Sequence, residues 1–479
     1  MLDDLKREAG LRYADLRFVE EQTERVRVRN GRLDACDTAR ERGVGVRVLI
    51  DQAWGFASAP GLDADRVRRA ARRAVEVARA SAKLVTERVS LANVTGSPAR
   101  GRYATRLYRD PFTVPLDEKV ADLAAPTERM LKGASVVRTA EAHMRWTRQR
   151  KILVTSEGTD IEQEFTYGGA GMHCIAVSSD GHTQRRSYPT FMDGDPGQGG
   201  YERVTLMRMT DAAEIVRDEA VALLKAEPLP AGKRVVILEG SQLALQVHES
   251  CGHPAELDRA LGTEVSLAGG SFLRPAMLGR FTYGSSKVNL TAEALTPGGL
   301  GTFGWDDEGT PATRTPIVKE GLFVGYLSSR ETAARIGTRP SGAMRASGYA
   351  RPPLIRMVNV NLEPDPKGGT LEELIADTDD GLLIATNKSW SIDDLRLNFQ
   401  FGCEVAWEIR KGKLGRMFRD PVYTGITPRF WRGCDAVCGN TAWKLWGILN
   451  CGKGEPGQVM HVSHGAAPAR FIDVEVGHG

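Results

Sequence analysis

Apolar and polar positions alternate with period two at the start of the chain. Residues 14–20 (ADLRFVE), 24–30 (ERVRVRN) and 43–50 (GVGVRVLI) carry this pattern, which predicts half-buried strands. Asn30-Gly31, before RLDACDT, predicts a hairpin turn, because both residues tolerate positive φ. From Asp63 to about Ala82 the apolar positions (Val67, Ala70, Ala71, Ala74, Val75, Ala78) take helical spacing, with Asp63 as N-cap. A second helix is expected at 115–132, interrupted by Pro126. Residues 134–190 read as strands, with turns at Glu157-Gly158 and Gly168-Gly169, and a helix over 210–225 follows. The stretch AEPLPAGK gathers Pro228, Pro230 and Gly232 and predicts a boundary between domains 1–228 and 229–479.

Beyond the boundary, RVVILEG predicts an apolar strand, and SQLALQVHESCGH a helix with Ser241 at its N-cap. Short β-like runs follow between glycine-rich turns: IVKEGLFVGYLS, PLIRMVNVNLEP, GLLIATNKS, FGCEVAWEIRKGKLGRMF and RFIDVEVG. The expected fold class is α+β. An N-terminal α+β domain has an antiparallel sheet with packed helices, and a C-terminal mainly-β domain carries the helix 241–253.

That helix holds the chain's most specific chemistry. Residues 248–253 read HESCGH, one residue longer than the zinc-protease pattern His-Glu-x-x-His. At about 100° per residue, histidines four apart lie within about 40°, whereas five apart they diverge by about 140°. One metal cannot take His248 and His253 from an undistorted helix. Gly252 and Pro254 flank His253, so the helix is expected to kink or end at Gly252 and swing His253 back toward His248. The alternative is a helix end with two unrelated histidines. A catalytic zinc needs a third protein ligand and an open position, and Cys451 in LNCGKGEPGQ is the best distant candidate. A glutamate beside the metal can take a proton from water and return it to a leaving amine, and Glu249 is placed for this.

Composition narrows the class without naming the chemistry. Hydrophobic residues are 41% and charged residues 26% of 479, as in an ordinary globular protein of two or more domains. The net charge of +3, from 64 basic and 61 acidic residues, gives no argument for nucleic acid or a membrane surface. There is no run of 18 apolar residues, and the opening MLDDLKREAG lacks the apolar core of a signal peptide, so a cytoplasmic location is expected. The 7 cysteines are an odd, scattered set and read as buried thiols or metal ligands rather than a disulfide framework.

HESCGH, the following AELDRALGTEVSLAGGSF, GAMRASGYARPPLIRMVNV and the terminal NCGK together resemble the TldD/PmbA family of zinc-dependent peptidases, on its metal-bearing TldD branch. The resemblance implies that His248, His253 and Cys451 bind one Zn2+ per chain, with Glu249 as the general base that activates a zinc-bound water. It implies hydrolysis of short or unfolded peptides at an enclosed site. It further implies a homodimer, or a heterodimer with a PmbA-like subunit. Other readings stay open: a zinc amidase or deacylase on a small peptide-like metabolite, a non-catalytic partner subunit of the same fold, and a cysteine hydrolase using Cys251 or Cys451.

The remaining candidates read more blandly. Cys251 is expected to be a small buried thiol, and Cys434 and Cys438 structural thiols, since CDAVC has no second pair to complete a zinc site. His461 and His464, ten and thirteen residues after Cys451, either approach the metal or assist proton transfer, or sit on the surface or in a loop, the commoner case. Glu256 and Asp258 either orient a ligand histidine or form a solvated turn. Arg345 and Arg351 are candidate oxyanion stabilisers, with a structural ion-pair role the commoner one for such residues. The glycine-rich stretch 298–311 is expected to be a flexible loop with hinges at Gly301 and Gly304.

Overall fold

The alternating pattern at the start of the chain builds longer strands than its three short runs suggest. In the computed structural model, which describes residues 2–96, 98–191, 194–266 and 269–479, the first two runs fuse into one strand, β1 (Leu11–Arg29). The polar stretch between them stays in register because β1 is paired on both sides, with β2 (Arg32–Ile50) and with β5 (Val137–Thr155). The β1–β2 hairpin turns where expected, with Asn30 at φ 50° and Gly31 at φ 76°. β3 (Ala53–Pro60), α1 (Ala64–Ala82), β4 (Arg100–Ala104), α2 (Leu116–Leu131) and β6 (Asp160–Val177) complete the first layer, and the sheet runs β3–β2–β1–β5–β6–β4. Asp63 caps α1, accepting from Arg66 N–H. The helix buries Val67, Ala70, Ala71 and Ala74 against Val44, Val46, Val48 and Ile50 of the sheet.

Two expectations fail here for physical reasons. Pro126 does not interrupt α2; the helix runs through it with Pro126 buried. A proline there costs about 3 kcal/mol, and packing of Leu123 and Met130 with Trp146 and α3 (Met209–Leu223) offsets it. Gly168-Gly169 is not a turn but lies inside β6, while Glu157 and Gly158 do lie in the turn before it. A Cβ on Gly168 would stand 2.1 Å from Arg145 O, so glycine there permits close approach.

The C-terminal half is strand-rich. β7 (Gly232–Leu238) enters its centre and leads into α4 (Gly240–Val247). β8 (Leu290–Glu293), β9 (Arg314–Lys319), β10 (Asn359–Leu362), β11 (Asp380–Ile392), β12 (Asn398–Arg410), β13 (Pro421–Ile426), β14 (Lys444–Lys453), β15 (Gln458–Ala466) and β16 (Ala469–His478) follow. One sheet runs β11–β7–β16–β13–β12, and β12 pairs with β11 again, so it closes on itself. The other runs β9–β8–β10–β15–β14. α4 packs between them, against β11 on one side and β10, β14 and β15 on the other. A helix enclosed in this way is buried all round, and Gln242, Leu243, Ala244, Gln246 and Val247 all are. Its N-cap is Glu239, which accepts from Ser241 N–H, rather than Ser241 itself.

The segment 298–311 is pinned rather than loose. Gly301 N–H donates to Asn359 Oδ1 at 3.0 Å, and a Cβ on Gly301 would stand 2.2 Å from the Val358 carbonyl carbon. Its glycines let the backbone lie against β10 instead of acting as hinges. No helix among the described residues is long and apolar enough to cross a membrane.

Candidate metal centre

The extra residue in HESCGH is absorbed by a π-helical turn. α4 passes into His248–Gly252, where His253 N–H donates to His248 O, a bond spanning five residues. Widening the turn in this way returns residues five apart to one side of the helix. Of the expected kink or end at Gly252, the end is what occurs: the π-helical turn stops there with Gly252 still right-handed (φ −69°, ψ −61°), a 3-10 turn His253–Ala255 follows, and the chain becomes extended at Glu256. Glycine at 252 leaves room for the Met357 side chain. A Cβ there would stand 2.0 Å from Met357 Sδ.

Polar partners hold the wide turn in an apolar interior. Ser250 Oγ donates to Gln246 O at 2.6 Å and accepts from Trp431 Nε1 at 2.9 Å. Tyr283 O–H donates to Ser250 O at 2.6 Å. Tyr423 O–H links to Gln246 Oε1 at 3.0 Å and accepts from Gln242 Nε2 at 2.8 Å.

The turn brings together the three residues that the sequence could only align. One donor atom from each of His248, His253 and Cys451 lies within 4.8 Å of the others, and all three residues are buried. Cys451 enters from β14, where its pairing with β15 is irregular between Ile448 and Cys451. The two imidazoles cross at 85°, with centroids 4.8 Å apart. His253 Nε2 is 3.8 Å from Cys451 Sγ. Tetrahedral zinc with ordinary Zn–N and Zn–S bonds has an N···S edge of about 3.6 Å, so the donor set fits such an ion.

Hydrogen bonds decide which nitrogens face inward. His464 Nδ1 lies 2.9 Å from Val360 O, which can only accept, so this nitrogen carries the proton. His464 Nε2 then accepts from His248 Nδ1, 2.7 Å away, and His248 Nε2 is left with its lone pair. His253 Nδ1 lies 3.2 Å from Glu256 Oε2. Burial alone would raise the Glu256 pKa, but Lys453, His253 and Arg259 hold it well below the usual range, so it is an acceptor. His253 therefore presents Nε2 as well.

Burial lowers the pKa of His248 to about 4 and also lowers that of His253, so both rings are neutral ligands near neutral pH. Burial pushes the Cys451 thiol up, but Arg356 and His253 outweigh it and bring it below its ordinary value. Cys251 is the opposite case. Burial pushes its thiol up to about 12, and it hydrogen-bonds with Tyr283 as an inert core group.

Glu249 is buried, and its Oε2 takes the guanidinium of Arg396 at 2.5 Å. Arg396 lies at the end of the β11–β12 connection, with φ of 63°. Both oxyanion candidates from the sequence donate to backbone carbonyls. Arg345 donates to the carbonyls of Met357, His461 and Leu300. Arg351 is half-buried and donates to its neighbour Ala350 O.

Glu256 and Asp258 are buried rather than in a solvated turn. Lys453 Nζ donates to Asp258 Oδ1 at 2.8 Å and is 3.3 Å from Glu256, tying AELD to NCGK across the site. Of the family-like stretch after HESCGH, Leu267 and Ala268 lie outside the described residues.

His464 is buried and His461 half-buried, where surface or loop positions were the commoner expectation. A signal for His464 existed. In QVMHVSHGA the alternation places Met460, Val462 and His464 on one strand face, and the first two are core residues. Arg396, in an ordinary polar turn 147 residues from Glu249, left no such signal. Cys434 and Cys438 are free buried thiols, as expected, but Cys36 is exposed.

A deep helix widened by one residue, a His-His-Cys donor set and a glutamate beside it define the class of protein to which known families can be compared. The chain belongs to the PmbA/TldA metallopeptidase family. Its C-terminal domain model matches residues 231–477, its domain 1 model residues 14–78 and its central domain model residues 109–225. A metalloprotease of Methanocaldococcus jannaschii is 27% identical, with 96% of each chain covered. A metalloprotease of Synechocystis is 29% identical over 97% of this chain and 94% of its own length. A zinc metalloprotease TldD homolog of Saccharolobus solfataricus is 23% identical over 53% of this chain and 54% of its own. Among solved structures, TldE from Thermococcus kodakarensis shares the fold, with a TM-score of 0.71 at 16% identity, covering 100% of this chain and 99% of that one. The chain is an enzyme of the metallopeptidase class.

Proposed function

We propose that the chain is a zinc-dependent peptidase acting on short or unfolded peptides, with His248, His253 and Cys451 holding one zinc and Glu249 as general base. The observation that carries this is the pair of Nε2 lone pairs set against the Cys451 sulfur. Zinc in such a set supplies Lewis-acid polarisation of a carbonyl and a lowered pKa for water. Glu249 removes the proton from the attacking water through the oxygen that Arg396 leaves free, and returns it to the leaving amine. Arg396 holds the carboxylate in place and presents positive charge where the tetrahedral oxyanion develops. His464 and Glu256 keep both ligand rings in the required tautomer.

Burial of all these groups supports an enclosed site, which an extended chain enters and a folded protein does not. We also infer that the chain works as two domains, 1–228 and 229–479. Assembly with another copy or with a related subunit belongs to the same reading, supported by the fold shared with TldE.

The test is hydrolysis of one protein in its folded and unfolded forms, with and without chelator. Cleavage of the unfolded form only, abolished by chelation, is expected. Equal cleavage of both forms, or cleavage that survives chelation, contradicts the reading.

A further inference from the structure

A cavity of about 250 Å³ lies between the first sheet and the C-terminal half of the chain. Residues of β1, β5 and β6 line one side. The segment 298–311, Arg345 to Ser347 and the start of β15 line the other. The cavity is separate from the metal centre. Strand alternation puts His461 on the face of β15 opposite His464, which contacts His248. On its own face His461 Nδ1 meets the Tyr167 hydroxyl at 2.9 Å, across the junction of the two halves.

The charges around this cavity do not balance. Lys151 is neutralised by Asp307, 2.9 Å away. Asp306 directs its oxygens to the backbone N–H groups of Glu308, Thr310 and Met344. Arg145, half-buried on β5, has no hydrogen-bond or ion-pair partner for its side chain among the described residues. Its charge acts on Glu21, Tyr167 and His461, which all line the cavity, so the guanidinium stands among them. Arg345 acts on Tyr167 and His461 from the other side. It gives three of its five N–H donors to the carbonyls of Met357, His461 and Leu300, and none to a carboxylate.

One carboxylate remains. Glu21 on β1 accepts from Gln149 Nε2 at 2.7 Å, and burial pushes its pKa up. Two guanidiniums therefore face at most one carboxylate. Uncompensated charge in a partly closed space is costly, and a bound anion relieves it. Phe165, Leu300, Phe303 and Trp305 supply an apolar, largely aromatic wall beside these charges. The Arg345 guanidinium carbon lies 5.7 Å from the centroid of the Phe303 ring.

We propose that this cavity binds a small monocarboxylate with an apolar body, of about the size of an acylated amino acid, whose carboxylate accepts from Arg145 and Arg345 together. Guanidinium forks match the plane of a carboxylate, and the body lies against the aromatic wall. Arg145 belongs to the first sheet and Arg345 to the C-terminal half, so an occupant ties the two halves to each other. The site does not depend on the metal or on peptide cleavage, and its binding is measured without turnover.

The probes are N-acetyl-leucine, its neutral amide and inorganic phosphate, titrated calorimetrically into the full-length chain. Tryptophan fluorescence is followed in parallel, since Trp305 is in the wall. The acid is expected to bind at least about tenfold tighter than the amide, the scale of one charge-assisted hydrogen bond, and tighter than phosphate. Arg145→Gln is expected to weaken the acid about tenfold and leave the amide unchanged. Its thermal midpoint should stay near that of the wild type, because the side chain loses no protein partner. Glu21→Gln removes the competing carboxylate and is expected to tighten the acid. Arg145 and Glu21 are remote from the metal ligands, so these two variants separate the cavity from binding of a carboxylate at the metal. Equal binding of acid and amide, no binding of either, or an affinity for the acid unchanged in both variants overturns the proposal. Phosphate binding tighter than the acid overturns the choice of a carboxylate.

Discussion

His464 Nε2 lies 2.7 Å from His248 Nδ1, and that contact fixes which nitrogen His248 turns toward Cys451. Replacing His464 by phenylalanine keeps a ring in the core and removes the acceptor. Metal affinity is expected to fall about 10–100-fold. Competition with a chelator of known affinity measures it, and unchanged affinity would show that His248 needs no orienting partner.

Gly252 makes a sharper test of the π-helical turn. Its backbone angles are ordinary, so alanine meets no conformational penalty, only the sulfur of Met357 at 2.0 Å. Gly252→Ala is expected to cost about 1–3 kcal/mol through overpacking. Met357→Ala removes the obstacle, so the double variant should be less destabilised than the sum of the two single ones. Denaturant unfolding of the four proteins gives the coupling, and strict additivity would refute the steric account.

Arg396 is assigned to the reaction rather than to the fold. Arg396→Gln is expected to lower kcat by about 10²–10³-fold while bound metal and KM change little. A variant that loses metal along with activity would mark Arg396 as structural.

Desolvation and nearby arginines hold two half-buried histidines away from the metal ligands neutral. His461 is brought to about 3 by burial, then by Arg145, Arg345 and Arg356; His173 is brought to about 3 by burial, then by Arg185. An unfolded chain protonates these rings near pH 6.5 and the folded chain does not. Their contribution is therefore complete above pH 6.5 and is lost as pH falls toward 3. For His461 the slope is about 1.4 kcal/mol per pH unit. Unfolding free energies at pH 7, 6 and 5 should fall, and His461→Phe should remove its share of the slope. A slope identical in that variant contradicts the assignment.

Local chemistry carried much of the fold into the sequence. Asn30-Gly31, the Asp63 cap and the apolar face of α1 are decided by neighbours in the chain, and all three were legible. So were His248, Glu249 and His253 as a group, because their spacing is local. Pro126 and Gly168-Gly169 misled because tertiary packing overrode local preference. The π-helical turn was legible only as a conflict between spacing and helix geometry. Its resolution depends on Ser250, Tyr283 and Trp431, the last 181 residues away from Ser250. His464 and Arg396 are joined to the site by contacts 216 and 147 residues long, which periodicity does not report, although strand alternation did mark the His464 face as buried.

The central claim is that Cys451 completes a metal site which Glu249 serves. The direct measurement is bound metal by elemental analysis in the wild type, Cys451→Ser and Glu249→Gln, with hydrolysis of an unfolded peptide by each. The account predicts about one zinc per chain in the wild type. It predicts loss of zinc in Cys451→Ser, and zinc retained with cleavage lost in Glu249→Gln. A wild type that takes up no metal after reconstitution, or a Cys451→Ser chain that keeps full zinc and activity, would contradict it.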